Sequence, residues 1–339
     1  MAKTRILYID LMKGLSITWV VWFHTIHPAF VDYGFRMPLF FLASAIFFKP
    51  YPFREFVEKK IYQMLIPFVF FYLVYYIFMI ISTVLSSGSF ESFNYSCIWD
   101  IFKSYNYNGG PTVDPPLWFI MALLDLQIMT YIFAKLRINR HLLMLIALII
   151  SIYASLFLVD KYTYFQFGRS LRYFCYYAFG YLYGKNIISI IEGDNRRRSL
   201  MLFISAAVIL SATGWFKTTV SNGNGHVIFD YFQITSLIIL LIYFFRYAQH
   251  WWIMKPLKYY GANSYIVLGI NEMILSSLLI VFLRVIGSMN IALGFIHWLL
   301  TMALLIPVIK LLNRHVPWLV GKQNIFDTYL RRYKIACPK

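Results

Sequence analysis

Lys13 and His24, eleven positions apart, are the first residues of the chain that could do chemistry in an apolar setting. In a helix, that spacing gives a rise of about 16 Å, roughly half the hydrocarbon thickness of a bilayer. With Lys13 at a membrane interface, His24 would therefore lie near mid-membrane. A neutral imidazole exchanges its proton near neutral pH and can act as a general base. A histidine that only hydrogen-bonds to neighbouring helices fits the position equally well.

Further polar residues interrupt the later apolar segments. They are Asp125, Gln127, Asn271 and Glu272. Ionisable groups at membrane depth are costly and often functional, although hydrogen bonding between helices is the simpler reading for each of these four.

Three arginines, Arg36, Arg169 and Arg172, stand at the ends of apolar segments on one predicted side of the membrane. Each could snorkel to the interface. Together they could also bind an anionic group.

The composition indicates what kind of element positions these residues. Of 339 residues, 60% are hydrophobic and 13% are charged, with a mean hydropathy of +0.64. A soluble domain carries about 25% charged residues, so a soluble protein is excluded. Spanning segments must be helical, because a barrel would show short alternating strands.

We therefore predict an all-α, polytopic integral membrane protein with about ten transmembrane helices. The second and sixth segments are short or broken, so nine or eleven helices remain possible. The apolar segments cover residues 15–30, 37–48, 62–85, 117–133, 142–159, 171–184, 200–216, 229–245, 264–283 and 291–312. We expect one membrane-embedded domain over 1–339, a cytoplasmic tail from about residue 313 and no appended soluble domain.

The net charge of +17 follows the predicted topology. With both termini in the cytoplasm, 24 of the 31 basic residues fall on the cytoplasmic side. The seven on the other side are Arg36, Lys103, Lys161, Arg169, Arg172, Lys217 and Arg284. This asymmetry is the positive-inside pattern, so the basic excess does not predict nucleic-acid binding.

The remaining motif signals are weak. Cys97, Cys175 and Cys337 have no obvious disulfide partner, and no metal-ligand spacing occurs in the sequence. We expect no metal and no permanently bound cofactor.

Several motifs in order along the chain resemble the acyltransferase-3 family of membrane proteins. That family opens with Leu-Asp-x-x-Arg/Lys-Gly and places a histidine ten residues further on, as in the stretch from Tyr8 through Lys13 to His24. The segment from Phe35 to Phe48 is similar to the next family motif. Further matches are Leu65-Ile66-Pro67, Pro116-Leu117-Trp118-Phe119, Phe179-Gly180-Tyr181 with Gly184-Lys185, and Tyr260-Gly261-Ala262-Asn263-Ser264.

The resemblance implies acyl transfer from a cytoplasmic acyl-CoA, usually acetyl-CoA, to a hydroxyl of a carbohydrate. His24 would be the catalytic residue, either as general base or as acyl carrier. Lys13, helped by Lys59 and Lys60, would bind the CoA phosphates. Other residues expected in the pocket or on the acceptor side are Asp10, Arg36, Ser44, Trp118, Asn263, Ser264, Asn271 and Glu272.

The chain departs from the family pattern at three positions. It has Ser44-Ala45 where many members have Ser-Gly, and Gln63 where arginine is common. Asn271 stands where a histidine commonly occurs, and it cannot act as a base. The neighbouring Glu272 could compensate.

The expected partners are the lipid bilayer, acyl-CoA, a carbohydrate acceptor and proteins of polysaccharide biosynthesis, in the cell membrane of a bacterium. A glycan transporter or export component is one alternative, although no internal repeat typical of transporters is visible. A degenerate, non-catalytic family member is another.

Overall fold

The computed structural model describes residues 6–25, 34–102, 115–158, 163–219 and 226–323. Within these ranges, all regular structure is helical. The helices are α1 (Leu7–Phe23), α2 (Arg36–Ala45), α3 (Phe53–Lys60), α4 (Ile66–Ser87), α5 (Trp118–Lys135), α6 (Arg140–Phe157), α7 (Phe167–Glu192), α8 (Arg196–Thr219), α9 (Val227–Ala248), α10 (Lys255–Ala262), α11 (Ser264–Ile286) and α12 (Ile291–His315). A π-helical turn, Ile61–Leu65, joins α3 to α4.

Each predicted apolar segment overlaps one helix, and α3 and α10 are additional short helices. Seven helical stretches are long and apolar enough to cross a membrane: Phe53–Ser87, Trp118–Lys135, Arg140–Phe157, Arg196–Phe216, Val227–Ala248, Ser264–Ile286 and Ile291–His315. The described α1, α2 and α7 do not meet both criteria, since α1 has 17 residues and α2 has 10. The total of ten spans and the side of the termini remain predictions.

The outer surface of the bundle is apolar, as a lipid-facing surface must be. On α4, for example, Ile77, Ile81 and Leu85 are all more than half exposed. The buried core combines aliphatic side chains with large aromatic ones, among them Phe41, Phe71, Tyr72 and Tyr177. Part of the aromatic excess of the sequence therefore packs between helices, and part of it is exposed on the outer surface.

The first helix ends earlier than the apolar pattern predicts. It stops at Phe23, and His24 is its C-terminal cap. Pro28 follows four residues later in the sequence, and a proline has no N–H to donate to the carbonyl of His24. His24 therefore lies at the end of α1, not inside it.

Two glycines bring α1 and α10 into backbone contact. A Cβ atom at Gly14 would lie 1.9 Å from the carbonyl oxygen of Leu257, and one at Gly261 would lie 2.1 Å from that of Asp10. Real side chains cannot occupy either place. This crossing places Lys13 and Asp10 of α1 beside the junction of α10 and α11.

Candidate functional site

Two cavities open between the helices and contain most of the predicted site residues. We name the first, of about 410 Å³, the lysine chamber, because Lys13, Lys49, Lys59, Lys60 and Lys322 line it. We name the second, of about 270 Å³, the arginine chamber, because Arg36, Arg169 and Arg172 line it together with His24.

The lysine chamber is polar and mostly cationic. Among the described residues that line it, the five lysines stand beside one acidic side chain, Asp10, and several uncharged polar residues. These polar residues are Ser44, Gln63, Gln127, Asn263 and Ser264. Gln63 occupies the position where the family pattern often has arginine, so the chamber gains a neutral hydrogen-bonding group there instead of a charge.

The lysines of this chamber are not equivalent. Nζ of Lys59 lies 2.5 Å from Oε1 of Glu55 and 3.3 Å from the centroid of the Tyr51 ring. Nζ of Lys13 lies 5.7 Å from the Phe40 ring, and Nζ of Lys60 lies 5.2 Å from the Phe56 ring. Glu55 therefore compensates the charge of Lys59.

Asn263 holds the junction between α10 and α11. Its Nδ2 donates to the carbonyl of Tyr259 at 2.7 Å, and its Oδ1 accepts from Nδ2 of Asn313 at 2.8 Å. Both ends of the amide are used, so Asn263 shapes the rim of the lysine chamber.

The chain turns back onto the lysine chamber after α12. Val320, Gly321 and Lys322 all line it, and Nζ of Lys322 donates to the carbonyl of Ala262 at 2.6 Å. α12 ends at His315, two residues beyond the predicted start of the tail. The described part of that tail therefore belongs to the wall of the chamber, and residues 324–339 lie outside the described ranges.

His24 and Glu272 meet beside the arginine chamber. Nδ1 of His24 lies 3.4 Å from Oε2 of Glu272, and the two side chains are 31% and 22% exposed. This distance is slightly longer than a normal N–H···O hydrogen bond. Catalytic contacts are often long before a substrate binds, so this distance is compatible with an acid–base function.

Asn271, the neighbour of Glu272, lies elsewhere. Its side chain is completely buried, and neither amide atom has a hydrogen-bond partner among the described residues. It lines neither chamber. The glutamate, not the asparagine, thus reaches the histidine.

Aromatic rings support the arginines of the second chamber. Cζ of Arg36 lies 3.5 Å from the centroid of the Phe23 ring, and Cζ of Arg169 lies 4.9 Å from that of Trp118. Cζ of Arg172 lies 6.0 Å from the Tyr173 ring. These are cation–π distances, which restrict where each guanidinium can point.

One aromatic layer separates the chambers. On α2, Met37 lines the arginine chamber and Phe40 the lysine chamber, a rise of about 4.5 Å. On α7, Tyr173 and Tyr177 do the same, about 6 Å apart along the helix. The ring of Phe119 lies 4.7 Å from that of Phe40, which lines the lysine chamber, and 6.2 Å from that of Trp118, which lines the arginine chamber.

The structure thus divides the predicted site residues into two groups. The lysine chamber contains Lys13, Lys59, Lys60, Asp10, Ser44, Asn263 and Ser264, and the arginine region contains His24, Arg36, Trp118 and Glu272. Of the other polar candidates, Gln127 lines the lysine chamber, and Asp125 accepts a hydrogen bond from Oγ of Ser170 at 2.7 Å.

Lys49 and Lys322 were not predicted as site residues from the sequence. Both line the lysine chamber. The sequence shows their positive charge, but the positive-inside pattern is sufficient to explain it. No local motif distinguishes a basic residue that follows the membrane rule from one that faces a cavity. In the part of the chain that the structure describes, no group of three or more His, Cys, Asp or Glu could hold a metal.

Comparison with known proteins identifies the class. The model of the acyltransferase-3 family, described as an acyltransferase domain, matches residues 6–314, nearly the whole chain. No curated protein and no solved structure matches. The chain belongs to the acyltransferase-3 family. With its apolar helices, it is a multi-pass membrane protein of acyltransferase type.

Proposed function

We propose that the protein is an O-acyltransferase that moves an acetyl or other short acyl group from acyl-CoA to a hydroxyl of an envelope, exported or lipid-linked carbohydrate. The observation that carries the proposal is the pairing of His24 with Glu272 beside a chamber of about 270 Å³. A second chamber, rich in lysine, lies one aromatic layer away.

Glu272 orients the imidazole. A carboxylate facing Nδ1 favours the tautomer with the proton on that nitrogen, which leaves Nε2 with the lone pair. The same arrangement of base and carboxylate operates in other acyl-transfer enzymes. In the family pattern a histidine commonly occurs at the position of Asn271, and an asparagine cannot act as a base. In this chain Glu272 positions the imidazole of His24 instead.

The reaction is a direct displacement at the thioester. The acceptor oxygen attacks the carbonyl carbon while its proton passes to Nε2 of His24. The C–S bond breaks, and the imidazolium returns the proton to the departing thiolate, so the products are an ester and free CoA. In the alternative sequence, Nε2 itself attacks the thioester carbonyl and the C–S bond breaks to release the CoA thiolate. The acceptor oxygen then takes the acyl group from Nε2, and its proton goes to the thiolate, so the products are again an ester and free CoA.

The lysine chamber suits the donor. CoA is a polyanion with a diphosphate and a further phosphate, and lysine ammonium groups bind phosphate as point charges. Lys13 and Lys60 are the main candidates, with Lys49 and Lys322 beside them and Lys59 in a smaller role. We place this chamber on the cytoplasmic side of a bacterial inner membrane, where acyl-CoA is available.

The aromatic layer separates donor phosphates from the reacting centre. Lys13 and His24 are about 16 Å apart along α1, a span of the order of the pantetheine arm. The arm would pass the ring of Phe119 to present its thioester to His24. An apolar layer around the thioester would also keep bulk water away from the acyl group, which would otherwise be hydrolysed.

Family membership and the His24–Glu272 contact favour this proposal over a transporter and over a non-catalytic family member. Proteins of polysaccharide biosynthesis would supply the acceptor.

The test compares membranes containing wild type, His24→Ala or His141→Ala, with acetyl-CoA labelled on the acetyl carbon. His141 is an exposed histidine on α6 and serves as the matched control. We expect label in envelope carbohydrate with wild type and the control, and none with His24→Ala. Full activity of a folded His24→Ala variant would exclude this mechanism.

A second measurement separates the two reaction sequences. Purified protein is mixed with labelled acetyl-CoA without acceptor and quenched rapidly. Label that stays on wild-type protein but not on His24→Ala indicates an acyl-histidine. Unlabelled protein, with transfer intact on adding acceptor, indicates general-base catalysis.

A further inference from the structure

The lysine chamber has an exposed lysine at its rim, Lys49, in the loop between α2 and α3. We infer that Lys49 binds the terminal phosphate of the donor, the 3′-phosphate on the ribose of CoA. This inference rests on the proposed function and names a specificity-determining residue of the same donor site. It predicts that the protein distinguishes thioesters of CoA from thioesters of dephospho-CoA, which lack that phosphate.

Contacts along α2 and the loop after it show how deep three of the lysines lie. α2 begins at the arginine chamber, and Phe40 is its first residue in the wall of the lysine chamber. Nζ of Lys13 lies 5.7 Å from the ring of Phe40, beside the aromatic layer. Nζ of Lys60 lies 5.7 Å from the ring of Phe48, and Lys49 is the residue after Phe48. Of the three, Lys13 is therefore nearest to the reacting centre and Lys49 is furthest from it.

The phosphates of CoA follow the same order. In the proposed binding mode the thioester reaches His24, so the pantetheine arm comes next, then the diphosphate, and last the ribose with its 3′-phosphate. A diphosphate beside Lys13 and Lys60 leaves the ribose phosphate at the exposed rim, where Lys49 lies. A phosphate monoester carries a charge of about −1.5 to −2 at neutral pH, so it is the most highly charged group of the donor.

Neighbouring acidic groups do not compensate the charge of Lys49 in the part of the chain that the structure describes. Glu55 is bonded to Lys59, and Glu58 forms its ion pair within α3. Asp10 also lines the chamber, but it makes no hydrogen bond or ion pair with Lys49 among the described residues. The ammonium group of Lys49 is thus available to an anion that enters from the rim.

The backbone holds Lys49 at this rim. The ring of Phe48 is buried and packs edge-on against the ring of Phe56. The N–H of Tyr51 donates to the carbonyl of Lys49 at 3.0 Å, which closes a tight turn around Pro50. Since proline fixes φ, the turn restricts the backbone, while the ammonium group keeps its flexible stem. The positive-inside pattern explains the sign of this residue but not its place in the cavity wall.

The experiment compares acetyl-CoA with acetyl-dephospho-CoA as donors for the full-length protein in detergent. We expect a KM about fivefold lower for acetyl-CoA with wild type, at the upper end for an exposed ion pair. Lys49→Gln should raise the KM for acetyl-CoA to that for acetyl-dephospho-CoA, with kcat unchanged, and Lys49→Arg should keep the preference. Equal KM values for both donors with wild type, or a preference that survives in Lys49→Gln, would overturn the inference.

Two other lysines serve as controls. Lys13→Gln should raise the KM for both donors by the same factor, because both contain the diphosphate. Lys255→Gln, at the start of α10 and outside both chambers, should change neither KM. If Lys255→Gln reduced the preference as much as Lys49→Gln does, the effect would come from general surface charge and the inference would fail.

A lipid headgroup offers the same phosphate chemistry as the donor. Adenosine 3′,5′-bisphosphate and adenosine 5′-phosphate, used as competitors of acetyl-CoA, separate the two sources. A preference for the bisphosphate in detergent and in nanodiscs with phosphatidylglycerol supports the inference. Loss of that preference in the nanodiscs would assign Lys49 to the lipid surface and overturn it.

The proposed function is tested separately from this phosphate site. The shift of the melting temperature by the two nucleotides needs no acyl transfer. A larger shift with the bisphosphate that disappears in Lys49→Gln, together with no transfer from either donor by wild type, would refute the proposed function and leave the phosphate site standing. Transfer from both donors with equal KM values would refute this inference alone.

Discussion

The lysine and arginine chambers are both cationic, but they use different side chains for different purposes. The lysine chamber is larger, and flexible ammonium groups share it with amides and hydroxyls. In the arginine chamber, aromatic faces restrict the guanidinium groups, which stand beside the one histidine among the described lining residues. Lysine carries a point charge on a flexible side chain, which suits a large, flexible polyphosphate. Arginine has a planar guanidinium group, which suits one small anion when its orientation is fixed.

In the proposed function, donor binding and chemistry take place in different chambers. If the lysine chamber binds the donor and the arginine region performs the reaction, substitutions in the two places should change different kinetic constants. Substitutions in each chamber, and at the helix crossing that positions them, test that division.

The largest effect is expected for Glu272→Gln. Glutamine keeps the size of the side chain but cannot stabilise an imidazolium, so kcat should fall by about 100-fold, in the range for loss of general acid–base function. The KM for acyl-CoA should change little. Steady-state kinetics in detergent measure both constants, and Glu272→Asp should recover part of kcat. A rise in the acyl-CoA KM with unchanged kcat would contradict the division.

A comparable effect, on stability, is expected for Gly14→Ala. The new methyl group would meet the carbonyl of Leu257, so α1 and α10 must separate. Overpacking of this kind costs about 1–3 kcal/mol. The melting temperature should fall and CoA should stabilise the variant less. The control is Gly294→Ala on α12, where an added Cβ meets nothing within 4 Å. Equal melting temperatures for both variants would refute the crossing.

A smaller effect is expected for Lys13→Gln. Removing one phosphate-binding charge should raise the acyl-CoA KM roughly tenfold, because a hydrogen bond between charged groups contributes about 1.5–3 kcal/mol. Lys13→Arg should have a smaller effect, since it keeps the charge. Initial rates over a range of acyl-CoA concentrations give the comparison. Equal KM values for the two variants would mean that the charge of Lys13 does not bind the donor and only sets the orientation of α1 in the membrane.

The smallest effect is expected for Lys59→Gln. Glu55 already compensates this lysine. The loss of Lys59 should therefore change the acyl-CoA KM by only about twofold, which corresponds to the small free energy of a partly exposed ion pair. Lys60→Gln is the matched comparison on the same helix. An effect of Lys59→Gln as large as that of Lys13→Gln would show that the bound donor displaces Glu55.

Some features of the site follow from local sequence. The eleven-residue spacing of Lys13 and His24 predicted one helix that carries both, with His24 near mid-membrane. In the structure Lys13 lies within α1, and His24 caps its C-terminal end. The periodic apolar segments predicted the helices. The three arginines at segment ends were grouped by side, and they do meet in one cavity.

Other features could not be read from the chain. Glu55 neutralises Lys59 only because α3 is helical at that point, and Lys322 reaches the lysine chamber only because the chain turns back after α12. Asn263 and Glu272 lie nine residues apart, yet one shapes the lysine chamber and the other contacts His24.

Hydropathy and motif spacing, which are local properties of the chain, were sufficient for the class of protein and for the helical segments. Only the tertiary structure shows that Glu272, and not Asn271, contacts His24. It alone also shows the aromatic layer that divides the site into two chambers. Helix rotation sets which of two adjacent side chains faces a neighbour, and packing across α2, α5 and α7 sets where the cavities open. Both depend on residues far apart in sequence.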